Sequence, residues 1–233
     1  MIKLIKCKNS EKVAEIASQL FKEEIKIQPY SILGLATGST TLRLYEKLIA
    51  LYLSNAIDFS KVITFNLDEY IGLPKNHPQS YRNFMNKYLF DKLNINWYST
   101  YFPSCDSYDM HIHNLGGIDL QLLGIGRNGH IGFNEPGTSK DSITHVVDLS
   151  EQTIKDNSRF FENISQVPKQ AITMGISSIL RTKKIILLAT GKNKQEAIYN
   201  TLKKEPNVSC PASFLQNHPN CVFIIDEEAG GLL

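Results

Sequence analysis

The chain has 233 residues and a formal net charge of +2, enough length for one large core and too little charge to favour nucleic acid or an anionic membrane as partner. Its longest apolar runs, such as Ile185–Ala189, are too short to span a bilayer. The opening Met1–Lys6 alternates like a strand and lacks the apolar stretch of a signal peptide, so a cytoplasmic protein is expected.

Cys7, Cys105, Cys210 and Cys221 are scattered without CxxC spacing and read as reduced thiols rather than metal ligands. After the first strand, Val13, Ile16, Ala17, Leu20 and Phe21 follow the spacing of one helix face, with Ser10 as the expected N-cap. Ser31–Ala36 reads as a short strand, and a helix from about Thr41 places Leu42, Tyr45, Leu48, Ile49 and Tyr52 on one face. Val62–Leu67 is the next strand, and Ser80 caps the helix beyond it. Further strands are expected at Ile118–Gly126, Ala171–Gly175, Ile185–Ala189 and Cys221–Asp226, with a helix over Lys194–Lys203. This alternation, without repeats or linkers, predicts an α/β fold: one domain over 1–233, three layers, and a mostly parallel central sheet of Rossmann-like type. In such sheets ligands bind beyond the carboxyl ends of the strands.

Four strand ends carry polar clusters. The first, Gly34–Thr41, runs from a strand through a glycine turn into a helix. Amides and hydroxyls at Gly38, Ser39 and Thr40 suit a phosphate, although a capped turn explains the pattern equally well. The second is Phe65-Asn66-Leu67-Asp68-Glu69-Tyr70. Side chains alternate along a strand, so one carboxylate of the Asp68–Glu69 pair faces a site and the other makes structural bonds, unless both belong to a solvated turn. The third is the loop His130-Ile131-Gly132-Phe133-Asn134-Glu135-Pro136, preceded by Asn128-Gly129. Its histidine titrates near neutrality when unperturbed (pKa ~6.5), and Glu135 can orient one ring nitrogen. A metal site is the competing reading, but a second histidine at ligand spacing is missing. The fourth is basic: Arg159 in Asn157–Phe161, and Lys192 and Lys194 after the strand ending at Ala189. Lysine could meet a phosphate as a point charge and arginine bidentately, while a solvated helix start accounts for the lysines as well.

Taken together, these residues resemble the glucosamine-6-phosphate deaminase family. The resemblance rests on Leu33–Thr40, Thr64–Pro74 with His77-Pro78 and Ser80-Tyr81, Gly124–Pro136, Asn157–Phe161 with Val167-Pro168-Lys169, and Thr190–Lys194. It implies conversion of glucosamine 6-phosphate and water to fructose 6-phosphate and ammonia, without an organic cofactor. It also implies residue roles. Asp68 is the carbon base of the isomerisation, and His130 opens the sugar ring with Glu135 and Asn128 as partners. Gly38, Ser39 and Thr40 hold the phosphate, with Arg159 and Lys194 as counter-charges. The segment from about 149 to 170 corresponds to a mobile lid.

Three departures sharpen the expectation. Asn128 is an amide where some members carry aspartate, so it can orient His130 but adds no charge. The segment Ser104–Gly117 is short, and its His111 and His113 are expected at the surface. The chain ends soon after its last strand, and Thr138–Leu149 lacks paired basic residues, so a monomeric enzyme without effector activation is expected. Two alternatives remain. A 6-phosphogluconolactonase shares the Gly124-x-Gly126-x-x-Gly129-His130 turn but has no use for a carbon base at Asp68. A sugar-phosphate-sensing module would bring a DNA-binding element and a basic surface.

Overall fold

The computed structural model describes residues 2–104, 107–158 and 161–233. In chain order the first half comprises Lys3–Cys7 (β1), Ser10–Ile27 (α1), Ile32–Leu35 (β2), Ser39–Leu53 (α2), Ile63–Asn66 (β3), Asp68–Tyr70 (β4), Tyr81–Tyr88 (α3), Thr100–Tyr101 (β5) and Tyr108–Asn114 (α4). The second half comprises Leu120–Leu123 (β6), His145–Asp148 (β7), Glu151–Asn157 (α5), Gln170–Thr173 (β8), Ile176–Leu180 (α6), Ile185–Ala189 (β9), Gln195–Lys203 (α7) and Cys221–Asp226 (β10).

Seven strands form one parallel sheet in the order β1-β10-β9-β6-β2-β3-β5. Its central members β2, β6, β9 and β10 are buried at every position, which is why they read as near-continuous apolar runs. From β1 the chain crosses to β2 and onward to β3 in one direction, whereas from β6 it moves the opposite way to β9 and β10. Right-handed crossovers in opposite directions place α1 and α2 on one face and α7 on the other, giving the predicted α/β layering. The core between the layers includes Phe21, Leu44, Tyr45, Phe65, Leu122 and Phe223.

Local chemistry adjusts several predicted boundaries. The first helix is capped by Asn9, whose side chain accepts the Lys12 amide at 3.0 Å, so Ser10 becomes the first helical residue. Ser80 caps α3 as expected, accepting the Asn83 amide at 3.0 Å. The strand expected at Ala171–Gly175 runs over 170–173 and does not join the main sheet. It is the middle of a separate antiparallel sheet, β4-β8-β7. Only Leu67 separates β3 from β4, and it pins both sheets: its amide donates to Leu35 and its carbonyl accepts from Met174. His111 and His113 lie on the exposed side of α4.

The small sheet carries its own apolar cluster of Tyr70, Phe133, Leu149 and Ala171, against which Tyr81, Ile154 and Phe161 pack. Thus Leu149, Ile154 and Phe161 of the 149–170 segment pack on β4 and on the loop that follows β6.

Candidate active site

The polar clusters, the fourth represented by its lysines, follow the carboxyl ends of neighbouring strands of the main sheet. Strands β9, β6, β2 and β3 are consecutive neighbours and parallel, so the segments after Ala189, Leu123, Leu35 and Asn66 emerge side by side. The chain reverses its direction of travel between β2 and β6, which opens a crevice at that point.

The adjacent carboxylates divide as strand alternation predicts. Glu69 turns to α3, where its oxygens accept the amides of Tyr70, Tyr81 and Arg82 at 2.9, 2.8 and 2.8 Å. It is therefore a structural cap on the helix start. Asp68 is 7% exposed, and its carboxylate accepts no hydrogen bond from the described residues. Burial, and secondarily the charge of Glu69, push its carboxyl up to about 8. Cross-strand pairing puts Asp68 opposite Thr173, and Thr173 opposite His145.

Glycine brings the His130 loop against this carboxylate. Gly132 has φ +59, and a Cβ there would stand 2.7 Å from Thr173 Oγ1 and 3.6 Å from Asp68 Oδ2. At Gly126 a Cβ would meet the His130 ring at 2.3 Å, so the imidazole lies flat over bare backbone. Buried Asn134 donates to the carbonyls of Ile131 and Met174, both at 2.8 Å, tying the loop to the end of β8. The Phe133 amide donates to Thr173 Oγ1 at 3.1 Å.

Within the loop Glu135 is the hub. Its Oε1 lies 3.5 Å from His130 Nδ1, which has no closer partner among the described residues. Asn128 Nδ2 donates to Oε2 at 2.6 Å, and Thr153 Oγ1 donates to Oε1 at 2.5 Å. Burial raises the Glu135 carboxyl, but His130, Thr153 and Asn128 outweigh it and hold the group at about 2. Asn128 also accepts the His130 amide at 3.2 Å. It thus orients His130 through the backbone and through Glu135 rather than through the ring.

Gly38, with φ +109, opens α2, and the first turn of that helix has no side-chain cap. The amides near Ser39 and Thr40 stand at the positive end of the helix dipole, after the carboxyl end of β2, a setting suited to an anion. Two strands away, Gly191 has φ +89 and donates its amide to Asp226 at 3.0 Å, which fixes the turn leading to half-buried Lys194. Arg159 lies outside the described residues, as does Cys105. The described residues include no group of three His, Cys, Asp or Glu side chains able to hold a metal, and none of their helices is long and apolar enough to cross a membrane.

Sequence reasoning missed Thr153, Thr173 and Asn134. Only Asn134 lies within a motif it singled out. The two threonines reach the loop from other elements, Thr173 from β8 and Thr153 from α5, which leaves no local pattern.

The sequence pattern of the family described as "Glucosamine-6-phosphate isomerases/6-phosphogluconolactonase" matches residues 7–223. A glucosamine-6-phosphate deaminase of Mycoplasma mycoides subsp. mycoides SC is 51% identical, the alignment covering 100% of this chain and 98% of that one. One from Thermoanaerobacter pseudethanolicus is 49% identical, covering 100% and 95%. A solved monomeric glucosamine-6-phosphate deaminase superposes with a TM-score of 0.96 at 42% identity over the full length of both chains. A 6-phosphogluconolactonase from Leishmania guyanensis reaches 0.75 at 21% identity, covering 99% and 98%, a likeness of fold alone. The chain belongs to the family of glucosamine-6-phosphate isomerases and 6-phosphogluconolactonases.

Proposed function

We propose that this chain converts glucosamine 6-phosphate and water to fructose 6-phosphate and ammonia. The observation that carries the reading is Asp68: a buried carboxylate without hydrogen-bond donors among the described residues, pushed up to about 8, against the loop that carries a histidine–glutamate pair. A base tuned near neutrality is what proton removal from carbon requires.

In this scheme His130 takes the proton of the anomeric hydroxyl and delivers one to the ring oxygen, and the ring opens to the aldehyde. Glu135 stays ionised and stabilises the imidazolium between the two transfers. Asp68 then removes the C2 proton and returns it at C1, turning the amino aldose into a ketose imine. Water adds to the imine carbon, the C–N bond breaks and ammonia leaves. The amides at Gly38, Ser39 and Thr40 hold the phosphate, with Lys194 as a counter-charge. Arg159 enters on the sequence resemblance alone. Fixing the remote phosphate aligns C2 with Asp68.

The 149–170 segment acts as a cover that shuts water out during proton transfer from carbon. Its packing of Ile154 and Phe161 on the Tyr70–Phe133 cluster supports this role. The likeness to a monomeric deaminase supports a monomer. The absence of paired basic residues in Thr138–Leu149 supports an enzyme that N-acetylglucosamine 6-phosphate does not activate. A phosphorylated sugar does not cross a bilayer unaided, so the site of action is the cytoplasm.

The test is direct. Protein mixed with glucosamine 6-phosphate should release ammonia and fructose 6-phosphate in equal amounts. Folded protein that releases neither, or that hydrolyses 6-phosphogluconolactone instead, would overturn the reading.

A further inference from the structure

Thr153 reaches the Glu135 carboxylate from outside the His130 loop. Asn128, His130 and Glu135 share one turn, so their contacts are local. Thr153 belongs to α5, within the covering segment, and donates to Oε1, the same oxygen that faces His130 Nδ1. Its hydroxyl has a single proton, and the bond to Ser150 fixes where that proton goes. Ser150 Oγ, the N-cap of α5, accepts the Thr153 amide at 3.1 Å and donates to Thr153 Oγ1 at 2.9 Å. The remaining proton is thereby aimed at Glu135. At the other end of the helix Asn157 donates to the Tyr70 hydroxyl at 2.8 Å, and Tyr70 ends the strand that carries Asp68. The short helix is therefore tied at one end to the ring-opening pair and at the other to the strand of the carbon base.

We propose that Thr153 is a positioning residue that aligns Glu135 with His130 only while the 149–170 segment is seated. The inference deepens the proposed function and rests on it. With α5 in place, Glu135 has one fixed donor on each oxygen, and Oε1 stays turned to the imidazole. With α5 lifted, Oε1 keeps only the 3.5 Å approach to His130, and the carboxylate is free to rotate toward water. Ring opening is thus coupled to cover closure, which confines the reactive open-chain sugar to the shielded state.

The test uses Thr153→Val, which keeps the branched shape and removes the hydroxyl, with Thr153→Ser as the conservative variant. Loss of one hydrogen bond to a charged group should lower kcat about tenfold with little change in KM, and serine should restore most of it. Adding Thr153→Val to Glu135→Gln should lower kcat no further, because both act through one bond. A kcat for Thr153→Val equal to wild type, or a second full tenfold loss in the Glu135→Gln background, would overturn the proposal. Amide hydrogen exchange across α5 reads the same bond without turnover: Thr153→Val and Glu135→Gln should each speed it, and together no more than either alone. Additive acceleration would contradict the link. Wild-type protein that forms no ammonia would instead count against the proposed function, while the exchange comparison still judges the Thr153–Glu135 bond.

Discussion

Asp68 and Glu135 are both acidic and both withdrawn from water, and the loop that carries Glu135 packs against Asp68 at Gly132, yet their surroundings drive them apart. The strand end at Asp68 offers burial without donors, and the carboxyl rises to about 8. At Glu135 the loop and α5 offer two donors and an imidazole, and the carboxyl falls to about 2. The contrast comes from hydrogen-bond supply rather than from residue type. A group left wanting a proton can take one from carbon. A group already satisfied serves as a fixed anion that steers its neighbour. Glu69 makes the same point within a dipeptide, since three backbone amides, two of them at the start of α3, occupy the neighbour of the base.

The largest effect should follow from removing the unsatisfied carboxylate. Asp68→Asn should lower kcat by about 10⁴-fold and abolish exchange of the C2 proton with solvent, read by proton NMR in deuterated buffer. Exchange at the wild-type rate would break the contrast outright. Glu135→Gln should cost less, about 10²-fold in kcat, because it weakens the orientation of His130 without removing it. A loss as deep as that of Asp68→Asn would mean that the two carboxylates share one role. Glu69→Ala should leave the chemistry nearly intact and instead lower folding stability by about 2 kcal/mol in urea unfolding, by orphaning the Tyr81 and Arg82 amides at the start of α3 and the Tyr70 amide in β4. A large kcat loss without destabilisation would place Glu69 in the reaction.

The smallest effect concerns pH. Folding raises the Asp68 carboxyl from its ordinary value of 3.8 to about 8, so the group contributes stability that is fully present at low pH and lost as pH rises through about 8. Asp68→Asn should therefore melt a few degrees higher than wild type above that pH, by thermal unfolding, with the gap closing as the solution is acidified. The reverse trend would show that the aspartate is stabilised as an anion.

Much of this contrast could be read before any coordinates. The central strands announce themselves because burial on both faces demands apolar runs such as Ile185–Ala189 and Cys221–Asp226. Period-two alternation also anticipated that Asp68 and Glu69 would part company. The small antiparallel sheet was not legible. Its strands have three to four residues, and the pairing of Asp68 with Thr173 spans more than a hundred positions. Partners that arrive from outside the loop, Thr173 as acceptor through strand pairing and Thr153 as donor from α5, leave no local pattern. The same holds at finer scale for Asn9, which takes the cap from its neighbour Ser10 through backbone geometry alone. Asn128 was legible as a partner of His130, but not its route through the backbone and Glu135.

The most direct test of the division of labour is a carbon-detected NMR titration of the Asp68 and Glu135 side-chain carboxyls in the unliganded protein. Asp68 should titrate near 8 and Glu135 near 2. Two carboxyls titrating together around the ordinary value of ~4 would contradict the account.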